Sequence, residues 1–446
     1  MAIIDCSQLI EPHWLWESYP YVSQTYHLGD EFQEFGLKWF GSGFSYISAP
    51  GWRIKGGKRL DQYPMTAFAG VAAVVDVSGV DAIDGATLAP KLEGLPRRDL
   101  LILKTGHADA VPSRRVDYWK TAPAISPDCA AAIAQAGFAH VAVDLSCEDI
   151  PSHRPDGDGG YENPNSAFRA ALHEAGLLLT ENCENLGSIE QEEVFFASLP
   201  HSIPKGTTSP TRPVALTEWP SDTPRVLDVS TPIFNHWRWK LDVYQGRSFD
   251  AGDDRDETHF IFGGHGFTHC DAPCHMRKDA STMQELPNWG LDLFIHDATV
   301  VDFSDLTLPF PITRDLIMER AANMYRPGDL MILRSDLTNK LGYESREWHL
   351  KAPNLEEEAA AWIAKQKPAG VCLDFPQDYI AREMPSRHVR NEEFVAHHAI
   401  FSADLPFIED LKDLGELSTD HPFLMAIPLK MNCVDGAPMR VVAIEW

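Results

Sequence analysis

The chain has 446 residues, 44% of them apolar, enough to bury cores for about three average domains. Its formal net charge of -27 argues against binding nucleic acid or an anionic membrane through phosphate contacts, which need basic surface. No stretch of about 18 unbroken apolar residues occurs, and the opening MAIIDCSQLIEPHW has neither a basic region nor a long apolar run, so no signal peptide, anchor or membrane span is expected.

Taken in order, the chain repeats itself. The opening IIDCSQLI is answered by VLDVSTPI, pairing Asp5 and Ser7 with Asp228 and Ser230. SGFSYISAPGW, from Ser42, is answered by HGFTHCDAPCH, from His265, at an offset of 223. AVVDVS around Asp76 then matches TVVDFS around Asp302, and RRDLLILK matches RPGDLMILR, pairing Asp99 with Asp329 and Lys104 with Arg334. Further on, Ala122 and Pro123 pair with Ala352 and Pro353, and Asp144 pairs with Asp374, the offset having drifted only to 230. The matches keep their order, so the chain reads as a tandem duplication of about 220 residues per copy.

Within each copy, strands alternate with helices. AAVVDVS, DLLILK and HVAVDLS in the first copy, and TVVDFS, DLMILR and GVCLDFP in the second, are rich in β-branched residues and predict strands. Helices are expected over Ser126–Ala136 and Asn354–Lys365, the second with acids near its start to complement the helix dipole. The polar segment from His153 to Ser166, with Asp156, Asp158 and Glu162, reads as a solvated loop rather than a calcium loop. The proline-rich stretch Pro200 to Pro224 reads as a linker. The expected organisation is therefore α/β, with a first domain over 1–204, a linker over 205–224 and a second domain over 225–446. Eight cysteines, at positions 6, 129, 147, 183, 270, 274, 372 and 433, lack a paired framework, which predicts reduced thiols and a cytoplasmic protein.

The densest chemistry lies in GGHGFTHCDAPCHM, Gly263 to Met276, where His265, His269, Asp271 and His275 fall within eleven residues. On a helix they would point at about 0°, 40°, 240° and 280°, too spread to converge, and the glycines and Pro273 oppose a helix. On a strand the offsets are all even, so His265, His269 and Asp271 share one face, and Pro273 turns the chain to bring His275 in. Cys270 and Cys274 should then point the other way, into packing. Imidazole with carboxylate suits zinc, manganese or iron better than calcium. In the first copy the same four positions hold Ser42, Tyr46, Ser48 and Trp52, so the site residues are dispensable for folding.

This string resembles the His-x-Gly-Thr-His-x-Asp-x-Pro-x-His signature of the cyclase-like metal-dependent hydrolases, the family of bacterial kynurenine formamidase and isatin hydrolase. It departs at one position: the family's glycine before Thr268 is Phe267 here, with Gly266 one step early. The resemblance implies two tandem swivelling β/β/α domains forming an intrachain pseudo-dimer, with further homo-oligomerisation left open. It implies a metal-binding histidine and glutamate twelve residues apart, which carries those roles to His397 and Glu409, opposite Arg169 and Glu181 of the first copy. A one-residue shift turns a helical side chain by about 100°, so only one of His397 and His398 should reach the site.

By the same resemblance, His265, His269, Asp271, His397 and Glu409 hold one or two divalent ions, with zinc expected and manganese the alternative. His275 takes the position the family uses for proton transfer. The implied reaction is hydrolysis of an amide, formamide, lactam or ester of a small, aromatic or heterocyclic substrate. Trp237, Phe267 and Trp289 are candidate pocket walls, and Arg277, Arg387 and Arg390 candidate carboxylate clamps. Trp39, Phe40, Tyr46 and Trp52 of the first copy either wall that pocket or, as favoured, pack their own emptied site. Cyclisation or dehydration on the same fold, and a non-catalytic metal-binding scaffold, are the competing readings.

Overall fold

A computed structural model describes residues 1–152, 160–239 and 241–446. The acidic turn at Asp156 and Asp158 lies outside the described residues. Two compact units are present, both mixed α/β. Unit 1 comprises Met1–Tyr19, Lys38–Pro224 and Val243–Ile261; unit 2 comprises Pro20–Leu37, Arg225–Asp242 and Phe262–Trp446. Each unit thus contains one sequence copy less a short segment, which it replaces with a segment of the other.

Unit 1 is built on a nine-stranded sheet. At its centre Ala69–Asp76, Leu100–Lys104, His140–Val143 and Leu178–Glu181 run parallel, as the runs of β-branched residues predict. Such strands, covered on both faces, read as unbroken apolar stretches. Helices Gly85–Leu92, Asp128–Ala136 and Asn165–Glu174 make the crossovers, and Leu88, Ile133, Phe168 and Leu172 pack on Leu101, Leu103 and Val141.

Unit 2 repeats this order. Ile295–Asp302, Leu330–Arg334, Val371–Leu373 and Phe407–Glu409 are parallel neighbours, crossed by helices Arg314–Ala321, Glu357–Gln366 and Val395–Phe401. The last helix predicted, Asn354–Lys365, starts three residues late because Asn354–Leu355 pairs with Pro311–Ile312 as a short strand. The ten-residue strand Gly436–Glu445 joins both ends of the sheet: Gly436–Pro438 pairs with His269–Asp271, and Met439–Ile444 pairs with Phe423–Pro428.

In unit 1 the corresponding strand is broken into Thr208–Pro210 and Val214–Leu216, and these lie inside the stretch read as a linker. Prolines mislead there because they mark a break in a strand, between Pro210 and Pro213, rather than a connection between domains. Two aspartates common to both copies serve the fold. Asp144 accepts from Thr105 N at 2.9 Å and Gly106 N at 2.8 Å, and Asp374 accepts from Ser335 N at 2.8 Å and Asp336 N at 2.6 Å. All eight cysteines are buried, and none forms a disulfide. No helix among the described residues is long and apolar enough to cross a membrane.

Candidate metal centre

The histidine-rich segment is less regular than strand alternation predicts. Only His269–Asp271 is strand; residues 264–268 bend, and Pro273–His275 forms a short 3-10 turn. The bend needs a left-handed residue, and Phe267 supplies it at φ 59, as Phe44 does at φ 53 in unit 1. Any side chain but glycine is strained there by about 1–2 kcal/mol. Phe267 is nevertheless buried, its ring centroid 5.7 Å from that of Tyr343 and 5.9 Å from that of Phe234, so packing offsets the strain. Cys270 and Cys274 point into the core, as expected.

All six candidate site residues line one cavity of about 140 Å³ in unit 2. Asp271 is its hub: Oδ1 lies 2.6 Å from His265 Nδ1 and 3.1 Å from His269 Nε2, and Oδ2 lies 3.3 Å from His397 Nε2. Antiparallel pairing sets Glu409 directly opposite His269, and Glu409 Oε1 is 3.7 Å from His397 Nε2. His269 Nδ1 donates to the Phe267 carbonyl at 2.8 Å, which leaves Nε2 as a lone-pair donor facing Asp271. His398, in contrast, turns to Asn391 at 2.8 Å.

Three residues of this centre escaped sequence reasoning. Asp435 contacts His265 Nε2, and Gly436 beside it packs so tightly that a Cβ would meet the Cys270 carbonyl and the His265 ring. Asp378 accepts from the backbone N–H of Ala396 at 3.0 Å and of His397 at 3.1 Å, and from His397 Nδ1 at 3.0 Å, so it fixes both the helix start and the imidazole. Asp378 stands opposite Glu148 at the offset of 230 already set by Asp374, and that shared acidity was the available signal. Asp435 has Thr207 as its counterpart, and no local pattern marks it. The third is Arg238, which lines the cavity with its Nη1 buried and without a hydrogen-bond partner, its guanidinium 4.1 Å from the Trp239 ring centroid. Arg238 and Trp239 occupy the places that reasoning gave to Arg277, Arg387, Arg390, Trp237, Phe267 and Trp289, none of which lines the cavity. Arg387 is instead paired with Glu383 and Glu393.

Electrostatically the site holds more buried carboxylates than permanent cations, with the Arg238 guanidinium in its lining. Asp271, Asp378, Glu409, Asp410 and Asp435 are all buried. Burial pushes Glu409 up to about 8 and Asp410 up to about 6. Burial disfavours charged imidazoles, but Asp271 and Asp435 outweigh it at His265, and hydrogen bonds to Asp271 and Asp378 outweigh it at His397, which rises to about 10. Protons therefore neutralise the cluster when no metal does so. Groups whose pKa is raised on folding add stability at low pH and lose it as pH rises through the folded value. His397 contributes fully below about 6.5 and loses its contribution as pH approaches 10; Glu409 loses its own as pH rises from 4.5 through 8. Metal-stripped protein should accordingly show a lower urea midpoint at alkaline pH than near pH 6.5, and divalent metal should reverse the difference.

His275 differs. Its Nδ1 donates to the Gln33 carbonyl at 2.6 Å, its ring stacks on His265 at 3.7 Å, and burial followed by the His265 charge holds its pKa well below the ordinary value. Gln33, and Phe32 and Glu34 in the cavity wall, come from the first half of the sequence but belong to unit 2.

In unit 1 an ion pair stands at the equivalent positions. Arg169, at the His397 position, donates to Glu181 Oε1 at 3.1 Å, and Tyr46 donates to the same oxygen at 3.0 Å. The Arg169 guanidinium lies 4.8 Å from the Trp52 ring centroid. A guanidinium thus stands in for a metal's charge, and Tyr46 and Trp52 pack their own unit. Arg169→Ala would leave Glu181 buried and unpaired, at an expected cost of about 3–5 kcal/mol, measurable by denaturant unfolding. Among the described residues, every group of three or more ligand atoms close enough to hold a metal lies in unit 2: His265, His269 and Asp271; His265, His275 and Asp435; Asp271, His397 and Glu409.

The chain is 24% identical over 226 residues to a kynurenine formamidase of Bacillus mycoides (strain KBAB4), covering 50% of this chain and 89% of that protein. Among solved structures, a potential metal-dependent hydrolase with cyclase activity aligns over 50% of this chain and 99% of its own at 23% identity and a TM-score of 0.40. An isatin hydrolase bound to the product analogue thioisatinate aligns over 50% and 92% at 21% identity and a TM-score of 0.42. The model of the family described as "Putative cyclase" matches residues 7–149 and 203–377. With one matched segment in each repeat and more than half of the sequence inside them, this chain belongs to the cyclase family.

Proposed function

We propose that the second copy is a metal-dependent hydrolase that cleaves an amide, formamide, lactam or ester bond of a small aromatic or heterocyclic metabolite, while the first copy carries no catalysis. The observation that carries this reading is that two triads of possible ligands, His265, His269 and Asp271 and Asp271, His397 and Glu409, share Asp271 and line one cavity. Imidazole nitrogens with carboxylate oxygens fit zinc first and manganese second, as one or two ions. Such an ion would supply a Lewis acid and would bring the pKa of water down to about 7.

The remaining roles fall to this chain's own groups. Asp378 holds His397 in place, and Phe267's carbonyl fixes the tautomer of His269. His275, anchored through Nδ1, keeps Nε2 for moving a proton to the leaving nitrogen or oxygen. Phe32, Trp239, Met276 and Phe394 supply apolar walls, and the unpartnered Nη1 of Arg238 supplies a donor for a substrate oxygen. The cavity, about 140 Å³, is below the usual 300–1,000 Å³ range and so accepts only a small scissile portion. The kynurenine formamidase relatives support amides over esters as first substrates.

Protein reconstituted with zinc or manganese should hydrolyse formanilides and small lactams, with release of one carboxylate per bond cleaved. Absence of turnover on all amides, lactams and esters tested, with metal bound, would remove the hydrolase reading.

A further inference from the structure

One short loop occurs in both copies and differs in a single side chain. His13, Trp14 and Trp16 recur as His236, Trp237 and Trp239, at the offset of 223. Its hydrogen bonds recur as well. His13 Nδ1 accepts from the Leu15 N–H at 3.2 Å, and its Nε2 donates to the Ser113 carbonyl at 3.3 Å. His236 Nδ1 accepts from the Arg238 N–H at 3.2 Å, and its Nε2 donates to the Tyr343 carbonyl at 3.0 Å. Between the two tryptophans the first copy carries Leu15, which is buried, and the second carries Arg238. Leu15 lines the cavity of unit 1, and Arg238 lines that of unit 2. The loop therefore forms without the arginine, which appears only in the copy that also has the proposed ligands.

The place is unfavourable for a guanidinium. It lies 4.1 Å from the Trp239 ring centroid and 5.8 Å from that of Trp348, and Nη1 is buried without a hydrogen-bond partner. A buried donor with no acceptor costs stability, and leucine avoids that cost in unit 1. Burial lowers the Arg238 pKa against the opposing charges of Asp410 and Glu409. Neither carboxylate answers Nη1. Glu409 is a proposed ligand, whose charge a divalent ion would take up, and Asp410 Oδ1 is itself buried without a partner. The missing acceptor is thus one that a bound molecule would bring. A neutral carbonyl would accept an N–H, whereas a carboxylate would accept two and balance the charge. Gln24, Phe32 and Met384 line both this cavity and a neighbouring one of about 510 Å³, which leaves room for a ring that the metal cavity alone would exclude.

We infer that the substrate of unit 2 is an anion, an amide, lactam or ester that carries a carboxylate in addition to the bond cleaved, and that Arg238 selects it. The inference rests on the hydrolase reading of this site and narrows it to one class of substrate.

Two measurements on the zinc-loaded full chain test it. Isothermal titration with acetophenone and the three isomeric acetylbenzoates reads the subsite on compounds with no bond to hydrolyse; kcat/KM for formanilide and the three isomeric formamidobenzoates reads it in turnover. Wild type should prefer at least one carboxylate isomer by about tenfold or more in both. Arg238→Leu, which installs the residue of the first copy, should bring both ratios to about one, and Arg238→Lys, which keeps the charge but not the fork, should fall between. Thermal unfolding of each variant separates a lost subsite from a lost fold. Equal affinity for acetophenone and every acetylbenzoate, or no saturable binding of any of them at millimolar concentration, overturns the inference. A preference that survives Arg238→Leu would put the carboxylate on the metal and overturns it too. Formanilide cleaved as well as the formamidobenzoates would remove the anionic substrate and leave the hydrolase. Binding that needs both the carboxylate and Arg238, with no amide, lactam or ester cleaved, would uphold the anion subsite and remove the hydrolase.

Discussion

Asp271→Asn is expected to strip the metal and depress hydrolysis by about a thousandfold, equivalent to roughly 4 kcal/mol of transition-state stabilisation. Its two oxygens reach His265, His269 and His397 at 2.6, 3.1 and 3.3 Å, so no other side chain touches as many of the proposed ligands. Removing the charge leaves three imidazoles with one fewer carboxylate to hold their protons or share a metal. The fold should survive, because unit 1 carries Ser48 at this position and still forms the equivalent strand pairing, Ser48 with Leu179. Elemental analysis of metal per chain, beside circular dichroism, checks both halves of the expectation. Metal retained at wild-type stoichiometry would show that Asp271 is not a ligand, and aggregation of both Asp271→Asn and His269→Ala would mark the cluster as structural.

His275→Ala separates chemistry from metal binding. Its Nδ1 is spent on the Gln33 carbonyl at 2.6 Å and its backbone carbonyl accepts from Tyr26 at 2.6 Å, so the residue is held by groups outside the proposed ligand set. Turnover should fall by about 10²–10⁴, the usual worth of a positioned acid or base, with metal content unchanged. Full activity would remove the proton-transfer role, whereas loss of metal would make His275 a ligand, in the grouping with His265 and Asp435.

Much of the centre was legible because duplication supplied an internal control. Positions that keep the fold, such as Asp144 and Asp374, carry the same residue in both copies, while His265, His269, Asp271 and His275 do not. The parallel strands were legible because burial on both faces leaves unbroken apolar runs. What escaped notice depends on tertiary approach. Asp435 meets His265 across 170 residues of sequence, and the walls Phe32 and Glu34 come from the other half of the chain. The bend at Phe267 was hidden because an aromatic residue gives no sign of a left-handed backbone, and the terminal strand of unit 1 was hidden because its prolines imitate a linker.

The exchanged segments bear on how such a chain can evolve. Unit 2 needs Pro20–Leu37, and unit 1 needs Val243–Ile261. Once that swap existed, the first copy could lose its chemistry by point substitution, but its coding sequence could not be deleted without removing the backbone that anchors His275. Decay of the ligands was open to selection or drift, whereas excision was closed. The duplication therefore behaves as a ratchet, in which a half without the proposed ligands is retained because part of it completes its neighbour's unit.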